Sequence, residues 1–441
     1  MKGAIAAGHP LTTEAGARVL ANGGNAVDAC IAAAFAAFVT EGPLTGPAGG
    51  GFFLTYVDGE ATLLDCFFAV PNQPIGEIEH LTVDFGSTTQ SYHVGDGSIA
   101  VPGLLAGLSE THRRYGQLPW RELVGPAIEL AREGVEVSEA QAFLHEILVA
   151  VLQRDEGGRR IYGNGNHLDT RDLVATLERV RDDPAAAARE LLPELEVELE
   201  AYRPVEREPL RVTIEGRDVL ATPPPSRGGA IVAGALAGFS LATSLDLRAR
   251  ALLAAYGGYS FGGIAGTTHI SVIDAAGNAA GLSSTLGAGS GVHRGGTQLN
   301  NMLGEFDVIG KGELVPGERL ASMMTPTLVL EEARPRLMLG SAGSVRLAGA
   351  IAQVADAVLN GASLREAITA PRIHVVGERE LHLEGGWPPE TAEELPAGAW
   401  EVIPWQSLNL YFGGASAVEL RADGTLDAAG DPRRGGLGIV V

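Results

Sequence analysis

Gly266-Thr267-Thr268-His269-Ile270-Ser271-Val272-Ile273-Asp274-Ala275-Ala276-Gly277-Asn278-Ala279-Ala280-Gly281-Leu282-Ser283-Ser284-Thr285 reads as a strand, a turn and a strand. Gly277 suits the left-handed position of a three-residue hairpin loop. With the turn centred on Ala276, cross-strand partners have numbers summing to 552, so Thr285 faces Thr267 to within about one residue. Two hydroxyls facing each other across an antiparallel pair can hydrogen-bond. Ordinary strand threonines produce the same pattern, so the pair needs support from the rest of the chain.

Beyond residue 266 the texture is short β-rich segments with Gly-rich turns. Ahead of it, residues 11–40 read as two helices. The first ends at Gly23-Gly24, and Asn25 with Asp28 starts the second. Gly46-Pro47-Ala48-Gly49-Gly50-Gly51 leads into a strand, Phe52 to Val57. Asp58-Gly59 then turns it into a second strand, Ala61 to Phe67. In residues 119–134, Trp120, Leu123, Val124, Ala127, Ile128 and Ala131 recur at helical spacing between Pro119 and Gly134. Arg181 to Glu200 predicts one or two solvated surface helices. Pro223-Pro224-Pro225-Ser226-Arg227-Gly228-Gly229 predicts a rigid loop. No internal repeat or low-complexity linker is evident.

The chain has 441 residues, of which 45% are hydrophobic and 5% aromatic, with 60 glycines. That composition fits a small-residue core of closely approaching layers. The net charge of −22 argues against nucleic acid and against an anionic membrane face. Cys30 and Cys66 each sit in an apolar run and read as buried thiols, without Zn-ligand spacing or a disulfide framework. The opening residues are too short an apolar run for a signal peptide. Ala26 to Val39 falls short of the ~20 residues that span a bilayer, and reads as a buried core helix. A soluble, cytoplasmic protein is the expectation.

The junction Thr267-Thr268-His269, with its hairpin ending in Ser283-Ser284-Thr285-Leu286, resembles the cleavage site of γ-glutamyltranspeptidases, which are N-terminal-nucleophile hydrolases. Further resemblances follow in the family's order. They are Gly8-His9-Pro10-Leu11, Glu14-Ala15-Gly16, Gly23-Gly24-Asn25-Ala26-Val27-Asp28-Ala29, Gly49-Gly50-Gly51-Phe52, Val101-Pro102-Gly103, Pro223-Pro224-Pro225-Ser226, Leu299-Asn300-Asn301, Pro326-Thr327, Gly340-Ser341-Ala342-Gly343 and Asp431-Pro432-Arg433. Each is weak alone, but together they cover nearly the whole chain.

The resemblance implies an α+β, four-layer αββα sandwich made as one precursor. Self-cleavage before Thr267 would give a large chain, 1–266, and a small chain, 267–441, that remain one structural domain. Thr267 would attack the Gly266 carbonyl, and water would hydrolyse the resulting ester. The freed α-amino group would then serve as base for the Thr267 hydroxyl, with no cofactor or metal required. Glycine at 266 tolerates the twisted peptide this attack demands. By the same resemblance Thr285 supports Thr267, and the backbone N–H groups of Gly343 and Ser344 form the oxyanion hole.

Departures from the family cluster on substrate recognition. Where the family has Asp-Phe-Arg-Glu, whose arginine grips an α-carboxylate, this chain has Asp65-Cys66-Phe67-Phe68. Gly287 replaces an asparagine, Ser322-Met323 a Ser-Ser pair, and Glu305 an aspartate for the α-amino group. A bidentate arginine is a strong carboxylate contact, so a pocket with Phe67, Phe68 and Met323 predicts a substrate other than glutathione. The stretch between Tyr256 and Gly266 is also short for the family, predicting a more open cleft or one shaped by a partner subunit.

The expected activity is hydrolysis or acyl transfer of a small amide-type substrate. A C–C bond hydrolase, as in superfamily relatives of alkylproline biosynthesis, and a non-catalytic scaffold are the alternatives. A homo-oligomer is left open. Gly287-Ala288-Gly289-Ser290-Gly291 reads as a mobile loop rather than a phosphate cradle, because no Walker lysine follows. His145, His269 and His293 share no metal-ligand spacing. Asp307 to Lys311 has no evident role, and Arg433-Arg434 reads as structural.

Overall fold

The computed structural model describes residues 2–84, 89–257, 266–310 and 312–441. Its centre is a seven-stranded antiparallel sheet in the spatial order Leu437–Val440, Gly3–Ala7, Gly266–Asp274, Ala279–Gly287, Gly50–Val57, Glu60–Cys66 and Val205–Arg207. A six-stranded antiparallel sheet lies against it, ordered Leu426–Gly430, Gly414–Leu420, Arg334–Ala342, Thr327–Glu331, Arg217–Ala221 and Leu210–Ile214.

Alternation of side chains assigns the layers. Phe52, Leu54 and Ile273 join Met338 and Leu339 in the core that includes the second sheet. Phe53, Ile270, Val272 and Leu282 face the other way, into a core closed by helices Ala26–Thr40 and Trp120–Glu133. Helices Gly228–Phe239, Leu347–Leu359 and Leu364–Thr369 cover the second sheet, and Leu245–Tyr256 packs on Gly228–Phe239. The result is the four-layer αββα sandwich, with Thr267 and His269 on the inner face of the first sheet and Thr268 on its helical face.

Most local readings hold. Ala26–Thr40 is buried throughout, and Asn25 and Asp28 close a reciprocal capping box. Asp58 and Gly59 both take positive φ, the turn that matches strand twist. Pro184–Leu191 and Glu196–Ala201 are the helices of the acidic stretch. The Pro-rich loop runs to Arg227, and a helix starts at Gly228. Among the described residues no helix is long and apolar enough to cross a membrane. Cys30 and Cys66 are buried and free, and burial pushes the Cys66 thiol up to about 12.

The end of the chain is fixed by buried charge. Arg433 pairs with Glu384 at 2.5 Å and with Asp431 at 3.1 Å, while Arg372 reaches Asp431 at 2.6 Å. Burial works to raise the Asp431 carboxyl, but the two guanidinium groups outweigh it and hold the group below its usual range. Arg433→Ala strands the buried Glu384 carboxylate and leaves Asp431 with Arg372 alone, and the expected loss is about 3 kcal/mol, since breaking a buried pair leaves an uncompensated charge. Urea midpoints of the variant and wild type measure it; an unchanged midpoint would show that Arg372 alone sustains the cluster.

Candidate active site

The hairpin from Gly266 to Gly287 pairs as read over most of its length. His269 faces Ser283, Ile270 faces Leu282 and Ile273 faces Ala279. Near the open end the register shifts, with Thr268 opposite Ser284 but Gly266 opposite Gly287. Thr267 is therefore opposed by two residues, Thr285 and Leu286. A bulge of this kind bends the strand and re-aims its side chains.

At the bulge the Thr285 hydroxyl donates to the Gly266 carbonyl oxygen. The Gly287 N–H donates to the same Thr285 oxygen at 2.8 Å, which orients the hydroxyl proton toward Gly266. Gly287 makes this turn at φ 71°, where a Cβ would lie 2.2 Å from Asn301 Oδ1. A larger residue, such as the family's asparagine, does not fit this backbone. The peptide bond ahead of Thr267 is thus polarised by a donor that the turn itself holds in place.

A cavity of about 30 Å³ adjoins these groups. Its lining includes Phe67, Thr267, Thr285, Gly287, Glu305, Ser322, Met323 and Ser344, eight residues singled out from the sequence, together with Met302, Val308, Met324 and Leu347. Phe68 and Gly343 are not in the lining. Phe68 is buried beside it, its ring 4.9 Å from that of Phe67 and directly under Gly50. A volume of this size holds about one or two waters.

Phe67 stacks on Phe52 with ring centres 5.4 Å apart, and its carbonyl accepts from Tyr202 Oη at 2.6 Å. Asp65, which precedes it, is buried and paired with Arg207 at 2.8 Å. The Pro-rich loop fixes the opposite wall, since Ser226 Oγ donates to the Met324 carbonyl at 2.7 Å and Arg227 N–H to that of Ser322 at 2.9 Å. Glu305 accepts from Ala288 N–H at 2.9 Å. Burial raises its pKa above the usual glutamate range, and the Ala288 contact offsets part of that.

Gly343 and Ser344 connect strand Arg334–Ala342 to helix Leu347–Leu359. Gly343 has φ 132° and lies against the Gly413 backbone, too close for a side chain. Ser344 sits at φ 55°, a left-handed conformation that costs a non-glycine residue about 1–2 kcal/mol. Such strain persists where the surroundings over-determine it, as at functional turns. The partial positive charge of the following helix start also favours a developing anion here.

His269 has both ring nitrogens bonded at 2.8 Å, to Ser283 and Ser271, and burial lowers its pKa to about 3. It is a satisfied interior histidine. Gly287 to Gly291, read from sequence as mobile, is pinned by Glu305, Asn301 and Leu299. Val308 alone of the described residues 307–310 lies in the cavity wall; Lys311 lies outside the described residues. Met302, Val308, Met324 and Leu347 escaped the sequence reading because they lie in short turns or, for Leu347, at a helix start, where no periodic signal marks them. Among the described residues no group of three or more His, Cys, Asp or Glu is arranged to hold a metal.

A family profile described as Gamma-glutamyltranspeptidase matches residues 12–255 and 252–441. The chain belongs to the gamma-glutamyltranspeptidase family. Its fold is that of the N-terminal-nucleophile hydrolases, and it is an enzyme of that class. Acylase ACY 1 proenzyme of Pseudomonas sp. (strain V22) is 28% identical, over all of this chain and 94% of that protein. Glutathione hydrolase proenzyme of Pseudomonas aeruginosa is 29% identical, again over 100% and 94%. The crystal structure of cephalosporin acylase from Bacillus halodurans superposes with a TM-score of 0.81 at 20% identity, covering 99% of this chain and 95% of that one. The transpeptidase-family match breaks at residues 252–255, and the alignment to the Pseudomonas acylase runs over 529 positions, so that relative carries insertions.

Proposed function

We propose that the chain cuts itself between Gly266 and Thr267 and then works as an amide-cleaving acylase on acyl groups that carry no carboxylate. The observation that carries the first part is the Thr285 hydroxyl held on the Gly266 carbonyl. Attack by Thr267 Oγ on that carbonyl forms a C–O bond, and the C–N bond breaks as nitrogen takes up the proton. Water then hydrolyses the ester, leaving a Gly266 carboxylate and a free Thr267 amine.

In turnover the amine takes the Thr267 hydroxyl proton, and the oxygen attacks the substrate carbonyl. The Gly343 and Ser344 N–H groups stabilise the oxyanion. The leaving amine departs with the proton, and water or another amine releases the acyl group. Relatives named as acylase and glutathione hydrolase proenzymes support amide chemistry of this kind.

Cavity composition supports the acyl preference. Phe67, Met302, Val308, Met323, Met324 and Leu347 are apolar, and Glu305 is the one ionisable residue of the described lining. A glutamyl or glutaryl carboxylate would meet no cation there, and an unpaired buried carboxylate costs several kcal/mol. Hexanoyl anilide is therefore expected to exceed γ-glutamyl anilide in kcat/KM by about a hundredfold, roughly 3 kcal/mol of that penalty. Phe67→Arg should narrow the ratio at least about tenfold. A wild-type preference for the γ-glutamyl anilide would overturn the acyl assignment and leave the cleavage chemistry standing.

A further inference from the structure

The cleavage geometry depends on a bulge whose cause lies on the other face of the sheet. Thr267 and Thr285 point into the space between the sheets. Their neighbours Thr268 and Ser284 are register partners and point to the helical face. Each of those is gripped by one short turn, which follows helix Ala26–Thr40. Thr268 Oγ1 donates to Glu41 Oε2 at 2.6 Å, and Thr45 Oγ1 and Ser284 Oγ share a hydrogen bond of 2.9 Å.

The turn is itself rigid. Leu44 and Thr45 N–H groups both return to the Glu41 carbonyl, at 2.8 and 3.1 Å. Glu41 also accepts from Thr12 Oγ1 at 3.0 Å, which ties it to the first helix. The Leu286 N–H donates to the Leu44 carbonyl at 3.0 Å, so the extra residue of the bulge is held by the same turn. Gly266 lies against Pro43 and Leu44, with room for no side chain.

We propose that Glu41, with Thr45, is a positioning residue for self-cleavage: the Glu41–Thr45 turn clamps the hairpin from behind and so imposes the bulge that aims Thr267 and Thr285 at the Gly266 carbonyl. This rests on the cleavage site proposed above. The carboxyl is buried near Gln141, His145 and Arg434, where burial favours its neutral form and the Thr268 and Thr12 hydroxyls work against that. Neutral or ionised, it offers an oxygen to Thr268, and a glutamine does the same.

The decisive comparison is the cleavage rate of freshly made chain, followed by intact mass, in Glu41→Gln, Glu41→Ala and Thr268→Val. Glu41→Gln should cleave within about twofold of wild type. Glu41→Ala and Thr268→Val should be slower by about ten- to a hundredfold, the effect of a hydrogen bond to a carboxyl group. The double variant should be no slower than either single one, because both remove the same contact.

Once matured, Thr268→Val should show a lower kcat with KM within about twofold, since no substrate reaches the helical face. Should Glu41→Ala fail to fold, Thr268→Val, which keeps the side-chain shape, decides alone. Wild-type cleavage in Thr268→Val, or a Glu41→Gln as slow as Glu41→Ala, overturns the clamp. If Thr267→Ala still cleaves at this junction, the underlying site assignment fails instead.

Discussion

Thr267→Ala should purify as a single chain of 441 residues, whereas wild type should separate on a denaturing gel into residues 1–266 and 267–441. The substitution removes one hydroxyl and one methyl yet abolishes two reactions. Without the hydroxyl nothing attacks Gly266, so no amine is released; and without that amine no base exists for any other nucleophile. Losing a nucleophile typically lowers kcat by about 10⁴- to 10⁶-fold, and the residue of catalysis comes from binding and the oxyanion hole. The fold should be unaffected, because the alanine methyl fits wherever the threonine Cβ does. Thr267→Ser keeps the attacking oxygen and should still cleave. N-terminal sequencing checks the position: wild-type small chain must begin Thr267-Thr268-His269. Two fragments from Thr267→Ala, or full activity in uncut wild type, would place the chemistry elsewhere.

The hairpin was legible in the sequence because strand periodicity and Gly277 are local signals. Its bulge was not. The register shift between Thr268 and Gly266 depends on contacts to Glu41, Thr45 and Leu44, which are more than two hundred residues away in sequence. Gly3–Ala7 shows the same limit. One isoleucine among four small residues carries no period that distinguishes a strand, yet the segment forms an interior strand by pairing with residues 271–274 and 437–440. Leu347–Leu359 was lost in a β-rich texture, because its alanines and glycine fit either element until packed against Gly228–Phe239.

The Phe67-Phe68 pair was half legible. Both enter the same core with their rings in edge-to-face contact 4.9 Å apart, but only one of the two faces the cavity. Phe67 does, and Phe68 fills the space under Gly50. The glycine run 287–291 looked mobile from composition alone. Its N–H groups are anchored by side chains of Glu305 and Asn301, which only the fold brings to it. Family resemblance, by contrast, located Thr267, Thr285 and Ser344 at one cavity because it carries long-range information that periodicity lacks.

Thr285→Val is the sharper test of how the two reactions differ. Valine keeps the branched shape but removes the donor on the Gly266 carbonyl. Negative charge develops on that oxygen as Thr267 attacks, so the hydrogen bond strengthens toward the transition state. Deleting one such donor costs about 3–4 kcal/mol, and cleavage should slow by about 10²- to 10³-fold. After maturation the Gly266 carbonyl has become the large chain's terminal carboxylate and no longer reacts, and the same hydroxyl only orients Thr267, with Gly343 and Ser344 serving the substrate oxyanion. The turnover number of whatever matures should therefore fall less than the cleavage rate does, by about tenfold. Thr285→Ser restores the hydroxyl and should recover both. The comparison needs cleavage rate from intact mass and kcat per mole of cleaved protein. Equal losses in the two would mean that Thr285 serves only to hold Thr267, and the polarised Gly266 carbonyl would then be incidental to the cut.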